Sequence, residues 1–268
     1  VATDKGTPEG SREGGRGMSM NIFVGNIGSG KSVVARKLAF QGAAVFNMDS
    51  FQQMIAGGEY GAYDVAKKDI YQEAENLTIR KALEAGLSVV VDRTNMDRKR
   101  RERFIKIGQE FGAHIVAYDW GMGTPNNVLR RMKAPRGIPM QQWQDVYGTM
   151  LRSYEPPCIE EGIDEIIIPP AKYRFHAFDF DGTIIENKFP DIGAILDGTV
   201  EKMSRIYDDL SNIIIVWTCR DEDYTSQMRQ FLLKNRIPFD FINENPIFDT
   251  GSRKIFAHKY YDDRGETL

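Results

Sequence analysis

"MNIFVGNIGSGKSVVARKLAF" occupies residues 20–40. It opens on an apolar β-type run and closes on an amphipathic helical pattern from about Lys31 to Phe40. Between them, residues 25–32 read "GNIGSGKS", which fits G-x-x-x-x-G-K-[ST] without a gap. Glycines at such a turn let backbone N–H groups wrap phosphate oxygens, and the following helix N-terminus adds a favourable dipole. Gly25, Gly28, Ser29 and Gly30 form the loop. Lys31 is expected to reach the β- and γ-phosphates of ATP, the phosphoryl donor, and Ser32 to ligate Mg²⁺. The competing reading is a chance glycine-rich turn. Placement between a strand and a helix, where the mechanism needs it, favours the triphosphate loop.

Outward from this stretch, apolar β-type runs alternate with helix-type runs, the pattern of an open α/β sheet. Strands are predicted at 20–26, 43–49, 88–94, 114–121 and 164–170. Helices are predicted at 31–40, across 64–86, at 97–112 and within 126–153. Gly86 reads as a helix stop. The helix after Asp97 presents Phe104, Ile105, Ile107 and Phe111 as its apolar face. Pro169-Pro170 then breaks any regular element, and the pattern restarts. Strands are expected in "YRFHAFDFDGT", "NIIIVWTCR", "FDFINEN" and "KYYDDRG", with helices in "DGTVEKMSRIYDDL" and "DYTSQMRQFLLKN". The fold class is therefore α/β in two domains, one over 18–170 and a smaller one over 171–268. Residues 1–17 are polar and glycine-rich with no apolar face and read as a disordered arm, with Met18 or Met20 as the natural start.

Composition narrows the classes. The 268 residues are 41% hydrophobic and 27% charged, with a formal charge of −3, so any polyanion site must be a local patch. The two cysteines, Cys158 and Cys219, lack metal-ligand spacing, which points to a reducing, cytoplasmic setting. No run reaches transmembrane length, and no membrane partner is expected.

Three features of the first half bear on chemistry. Asp49 ends the second predicted strand, where it should face the γ-phosphate region and accept a proton from an acceptor hydroxyl. Its bland reading is a helix N-cap before Ser50-Phe51. Asp92 ends the third strand and either holds Mg²⁺ through water or caps a turn. "LRRMKAPRG" at 129–137 carries Arg130, Arg131, Lys133 and Arg136, either a lid that stabilises the transferring phosphoryl group or a solvated basic face. "DRKRRERFIK" at 97–106 reads as a charged outer face, with contact to a polynucleotide backbone as the alternative.

The second half carries "FDFDGT" at 178–183. Asp179 and Asp181 share one side of an extended strand end, because side chains alternate with period two. Asp179 can attack phosphorus and form an aspartyl-phosphate, while Asp181 protonates the leaving oxygen and later activates water. Thr218 offers a hydroxyl to a phosphate oxygen, Arg220 a charge clamp, and Lys254 a screening cation. Asp262-Asp263 form an acidic pair suited to Mg²⁺, with Asp179 and Asp181 as further expected ligands. Each alone has a bland explanation as a strand end, turn or surface residue. Their order, each at or just after the carboxyl end of a strand, is hard to assign to chance.

This set resembles the haloacid dehalogenase superfamily of phosphohydrolases over about 172–268. The first half resembles P-loop kinases of the polynucleotide-kinase type. The order, kinase then phosphatase, is similar to that of bifunctional phage-type polynucleotide kinase/3′-phosphatases. The resemblance implies a cytoplasmic enzyme that phosphorylates 5′-hydroxyl ends of RNA or DNA and removes 3′-phosphates. It implies Asp49 as the base, Arg131 and Arg136 as lid arginines, Asp179 as nucleophile, Asp181 as acid/base, Arg220 on phosphate, and Asp262 or Asp263 on Mg²⁺. Two departures stand out. The family's arginine three residues after the base is Gln52 here, so phosphate contact weakens or comes from elsewhere. The family's serine-glycine-arginine is Thr218-Cys219-Arg220. With no large insertion after Thr183, the second site should be open, which suits a polymer end. Rival readings are a pair acting on a nucleoside, modified base or other small molecule, and a catalytically silent nucleotide-binding adaptor.

Overall fold

The computed structural model describes residues 17–58, 64–124, 139–248 and 255–265. Its two sheets are both parallel. In the first, β1 (Ser19–Val24), β2 (Ala44–Phe46), β3 (Val89–Val91), β4 (His114–Asp119) and β5 (Glu165–Ile167) lie in the order β2-β3-β1-β4-β5. In the second, β6 (Arg174–Asp179), β7 (Asn212–Trp217), β8 (Phe241–Ile242) and β9 (Lys259–Tyr261) lie in the order β8-β7-β6-β9. Parallel strands covered on both faces read as unbroken apolar runs. Val89–Val91 and Ile213–Val216 are such runs, and all seven residues are fully buried.

Apart from the helix at Met48–Ile55, the described α-helices fall within the predicted segments to one residue. α1 (Lys31–Phe40) starts at Lys31, immediately after the glycine turn. α2 (Met48–Ile55) starts where the sequence reading placed the end of a strand. α3 (Lys68–Glu84) stops through Gly86, whose φ of 75° suits glycine and lets the Gly86 and Leu87 N–H groups reach back to the Leu83 and Ala82 carbonyls. α4 (Arg98–Glu110) is capped by Asp97, whose carboxylate accepts the Arg100 N–H at 2.8 Å. It buries Phe104, Ile105 and Ile107 against β1 and β4, with Phe111 packed at the edge of that core. α5 (Met140–Arg152) buries Trp143. In the second half, α6 (Thr199–Tyr207) and α7 (Glu222–Lys234) supply Met203, Tyr207, Met228 and Leu232 to the core under β6 and β7.

The two halves meet along α1. Val33 joins a core with Phe175, Ala177, Ile213 and Ile215 of the second sheet. Phe40 packs edge-on against Tyr207 at 5.4 Å. Lys37 is fully buried; its ammonium donates to the Tyr207 carbonyl at 3.1 Å and lies 3.8 Å from an Asp240 carboxylate oxygen. The helix that opens with Lys31 and Ser32 is therefore also the seam between the sheets. Among the described residues, no helix is long and apolar enough to cross a membrane.

Candidate active sites

In an open α/β sheet, ligands sit beyond the carboxyl ends of the strands, where connections leave in opposite directions. β1 lies between β3 and β4 and is such a strand. Beyond it the loop folds tightly, with Gly28 and Gly30 at φ of 64° and 97°. The Lys31 ammonium donates to the Gly25 and Asn26 carbonyls at 2.9 and 2.7 Å and to Ser29 Oγ at 3.3 Å. Gly28, Ser29, Gly30, Lys31 and Ser32 line a cavity of about 560 Å³ together with Asp49, Gln52 and Asp92.

Strand register assembles the rest of this cavity. Phe46 pairs with Val91, so Asn47 and Asp92, one residue further on, stand side by side. The Asn47 amide donates to the Asp92 carbonyl at 3.1 Å and to its carboxylate at 3.4 Å. The Asn47 side-chain oxygen, Oδ1, accepts the Asp49 N–H at 2.9 Å and caps α2. This corrects the sequence reading of Asp49. It is neither a strand end nor the cap; the cap turns the chain at Asn47 and places Asp49 in the first turn of α2, still within the cavity. Ser32 Oγ donates to Asp92 Oδ2 at 3.4 Å. Burial raises the Asp92 pKa, opposed by the Lys31 charge and by the Asn47 and Ser32 hydrogen bonds. Asn47 went unread in the sequence, although Asn before a helix start is a cap signal.

The second site is built the same way. Phe178 pairs with Tyr261 and Asp179 with Trp217, which sets Asp262 and Thr218 just beyond, flanking the end of β6. Asp179, Asp262 and Asp263 offer carboxylate oxygens within 4.8 Å of one another. Burial pushes the Asp179 carboxyl up to about 6; the Phe180 N–H opposes it, and the Asp262, Asp263 and Asp181 charges reinforce it. The turn at Gly182 is obligatory. Its φ is 88°, and a β-carbon there would lie 2.3 Å from Asp263 Oδ2. Thr183 Oγ1 accepts the Asp263 N–H at 3.0 Å and ties the two motifs together.

Arg220 is placed differently from the expected phosphate clamp. It is 5% exposed and grips Asp181 through two hydrogen bonds of 2.7 Å, one from Nε and one from Nη2. Its remaining bonds go to the Pro190 and Asp191 carbonyls at 2.8 Å. It thereby fixes the orientation of Asp181 and the course of the loop at 190–191. The Thr218 hydroxyl accepts the Arg220 N–H at 3.1 Å. Between Asp181 and α6 only isolated bridges occur, at Asp181–Ile185 and Ile185–Ile195, as expected for a domain without a large insertion. Arg131, Arg136 and the rest of the 129–137 segment lie outside the described residues, as does Lys254.

Residues 20–157 match the model of the AAA domain family. The chain belongs to this family. Its first half is thus a P-loop kinase domain, a class that uses a nucleoside triphosphate and Mg²⁺. Among solved structures, the Pnkp1/Rnl/Hen1 RNA repair complex is similar at 17% identity over 86% of this chain and 80% of that chain, with a TM-score of 0.43. A conserved protein from Bacteroides thetaiotaomicron is 26% identical over 35% of this chain and 78% of that one, at 0.32. The APS kinase of Mycobacterium tuberculosis is 16% identical over 59% and 92%, at 0.39. Likenesses at this level carry no weight for activity, which is argued from the residues.

Proposed function

We propose that this chain heals nucleic-acid ends. Its 18–170 domain transfers the γ-phosphate of ATP to a 5′-hydroxyl, and its 171–268 domain removes a 3′-phosphate. The observation that supports this reading is a phosphate loop and an Asp179, Asp262, Asp263 carboxylate cluster on two sheets packed along one helix, α1; we read them as phosphate sites of opposite chemistry. On a single substrate position their activities would cancel. On the two ends of a broken strand they yield the 5′-phosphate and 3′-hydroxyl that a ligase joins.

In the first site Asp49 accepts the hydroxyl proton as the acceptor oxygen bonds to the γ-phosphorus and the bond to ADP breaks. Lys31 holds the phosphates, with Ser32 and Asp92 beside it. In the second, Asp179 attacks the 3′-phosphorus while Asp181 gives a proton to the departing 3′-oxygen. Water then attacks the aspartyl-phosphate, and Asp181 takes its proton. Thr218 offers its hydroxyl to a phosphate oxygen, and Arg220 positions Asp181. Three carboxylates crowded within 4.8 Å, one with its pKa pushed up, fit a hard divalent cation. Asp179, Asp262 and Asp263 would hold Mg²⁺, which would neutralise the charge between nucleophile and phosphate.

Gln52 supports a second reading, because a neutral side chain stands in the acceptor cavity where a strand's phosphate would want a cation. A small-molecule acceptor would fit that cavity. Matched 5′-hydroxyl RNA and DNA strands, offered with radiolabelled ATP beside free nucleosides, separate the two. Label on the strands supports end healing. Label on nucleosides with none on strands overturns it.

A further inference from the structure

A groove of about 1020 Å³ runs along α3 and α4 and adjoins the kinase cavity, with Arg93 and Thr94 lining both. The chain is acidic as a whole, yet the groove's lining holds six Lys and Arg side chains against three carboxylates. Each carboxylate already has a partner: Arg100 and Arg98 within the lining for Asp97 and Glu155, and Lys106 outside it for Glu102. Asp97 caps α4 and pairs with Arg100 at 3.1 Å, Glu102 pairs with Lys106 at 2.6 Å, and Glu155 accepts the Arg98 N–H at 2.8 Å.

Two of the cations are held in place from behind. Glu75 on α3 is fully buried, and one of its oxygens accepts from both Arg93, at 2.7 Å, and Arg103. A single carboxylate beneath two guanidiniums leaves a net positive pair at the groove floor. Lys68 and Lys99 are exposed on the groove and make no ion pair among the described residues. The aromatic residue in the lining, Phe104, is 1% exposed and lies under the Arg103 guanidinium at 4.2 Å. The groove thus offers charge without an open stacking surface.

We propose that this groove binds the sugar-phosphate backbone of the acceptor strand behind its 5′ end, with Lys68, Arg93, Lys99 and Arg103 neutralising successive phosphates. The proposal rests on the end-healing reading. It also places on α3, α4 and the loop after β3 the cations that Gln52 does not supply on α2. Because the groove meets phosphates, recognition is independent of base sequence and dependent on salt.

The test measures kinase KM for single strands of increasing length at several salt concentrations, in the wild type and in Lys68→Ala/Lys99→Ala, with thermal melting as a check that the variant is folded. In the wild type KM falls as the strand lengthens, is the same for strands of different base composition, and rises with salt. In the double variant KM for long strands rises, and the slope of log KM against log salt drops by about 1.4, at about 0.7 for each single-strand phosphate that is no longer neutralised. If strands are phosphorylated with a KM independent of length, or the folded double variant keeps the wild-type salt slope, the groove does not bind the strand while end healing stands. If no strand is phosphorylated at any length but nucleosides are, the end-healing reading itself fails and takes this proposal with it.

Discussion

Lys37 and Asp240 form a buried ion pair across the seam between the sheets, and their replacement tests how that seam is held. Both side chains are fully buried, the ammonium lies 3.6 Å from the Tyr207 ring centroid, and the carboxylate accepts the Ile214 N–H at 2.9 Å. Burial outweighs the attraction of Asp240 and lowers the Lys37 pKa from 10.5 to about 8. At about 1.4 kcal/mol per pH unit, that depression corresponds to about 3 kcal/mol of stability forgone at pH 7 relative to high pH. The sign follows from proton binding. Between pH 8 and 10.5 the unfolded chain binds a proton that the folded chain does not, so stability rises with pH through this window and is lost as pH falls through 8. Lys37→Met with Asp240→Asn removes both charges and should stabilise the protein by about 1–3 kcal/mol at pH 7. The gain should shrink to nothing by pH 10.5. Asp240→Asn alone should cost only about 1 kcal/mol at pH 7, because the stranded lysine can shed its proton, and nothing above pH 8. Urea unfolding followed by tryptophan fluorescence at pH 7 and 9 measures all three proteins. A double variant less stable than wild type at pH 7, or a pH-independent difference, would refute the reasoning.

Three further substitutions probe the sites. Arg220→Lys should lower phosphatase kcat by at least about tenfold, since an ammonium cannot reproduce the two-point grip on Asp181, while kinase turnover stays at the wild-type level. Gly182→Ala should abolish phosphatase activity and cost roughly 1 kcal/mol or more of stability, because φ is 88° and the added carbon collides with Asp263; calorimetry and phosphate release measure the two effects. Asn47→Ala should cost about 1 kcal/mol through loss of the α2 cap and lower kinase kcat through release of Asp49 and Asp92, with phosphatase activity as the internal control.

Much of this was legible in the sequence because it is local. The start of α1 at Lys31, the Gly86 stop and the apolar runs of β3 and β7 all follow from periodicity and backbone sterics. The crowding of Asp179 with Asp262 and Asp263 also follows from each lying at a strand end. What escaped depends on pairing over long distances. Asn47 looked like the interior of a strand because "AAVF" carries the β pattern up to it, and its contact with Asp92 exists only through the register of β2 on β3. Arg220 looked like a phosphate clamp because its partner, Asp181, lies 39 residues earlier. The burial of Lys37 had no signal at all, since nothing near it in sequence announces that a second sheet covers that face of α1.

The most direct measurement takes one oligonucleotide bearing a 5′-hydroxyl and a 3′-phosphate and follows both ends by mass spectrometry in the presence of ATP and Mg²⁺. The wild type should add a phosphate at the 5′ end and remove the one at the 3′ end. Asp49→Ala should only remove, and Asp179→Ala should only add. A wild-type protein that leaves both ends untouched while phosphorylating free nucleosides, or an Asp49→Ala variant that still phosphorylates the 5′ end, would contradict the assignment of two sites to the two ends of a broken strand.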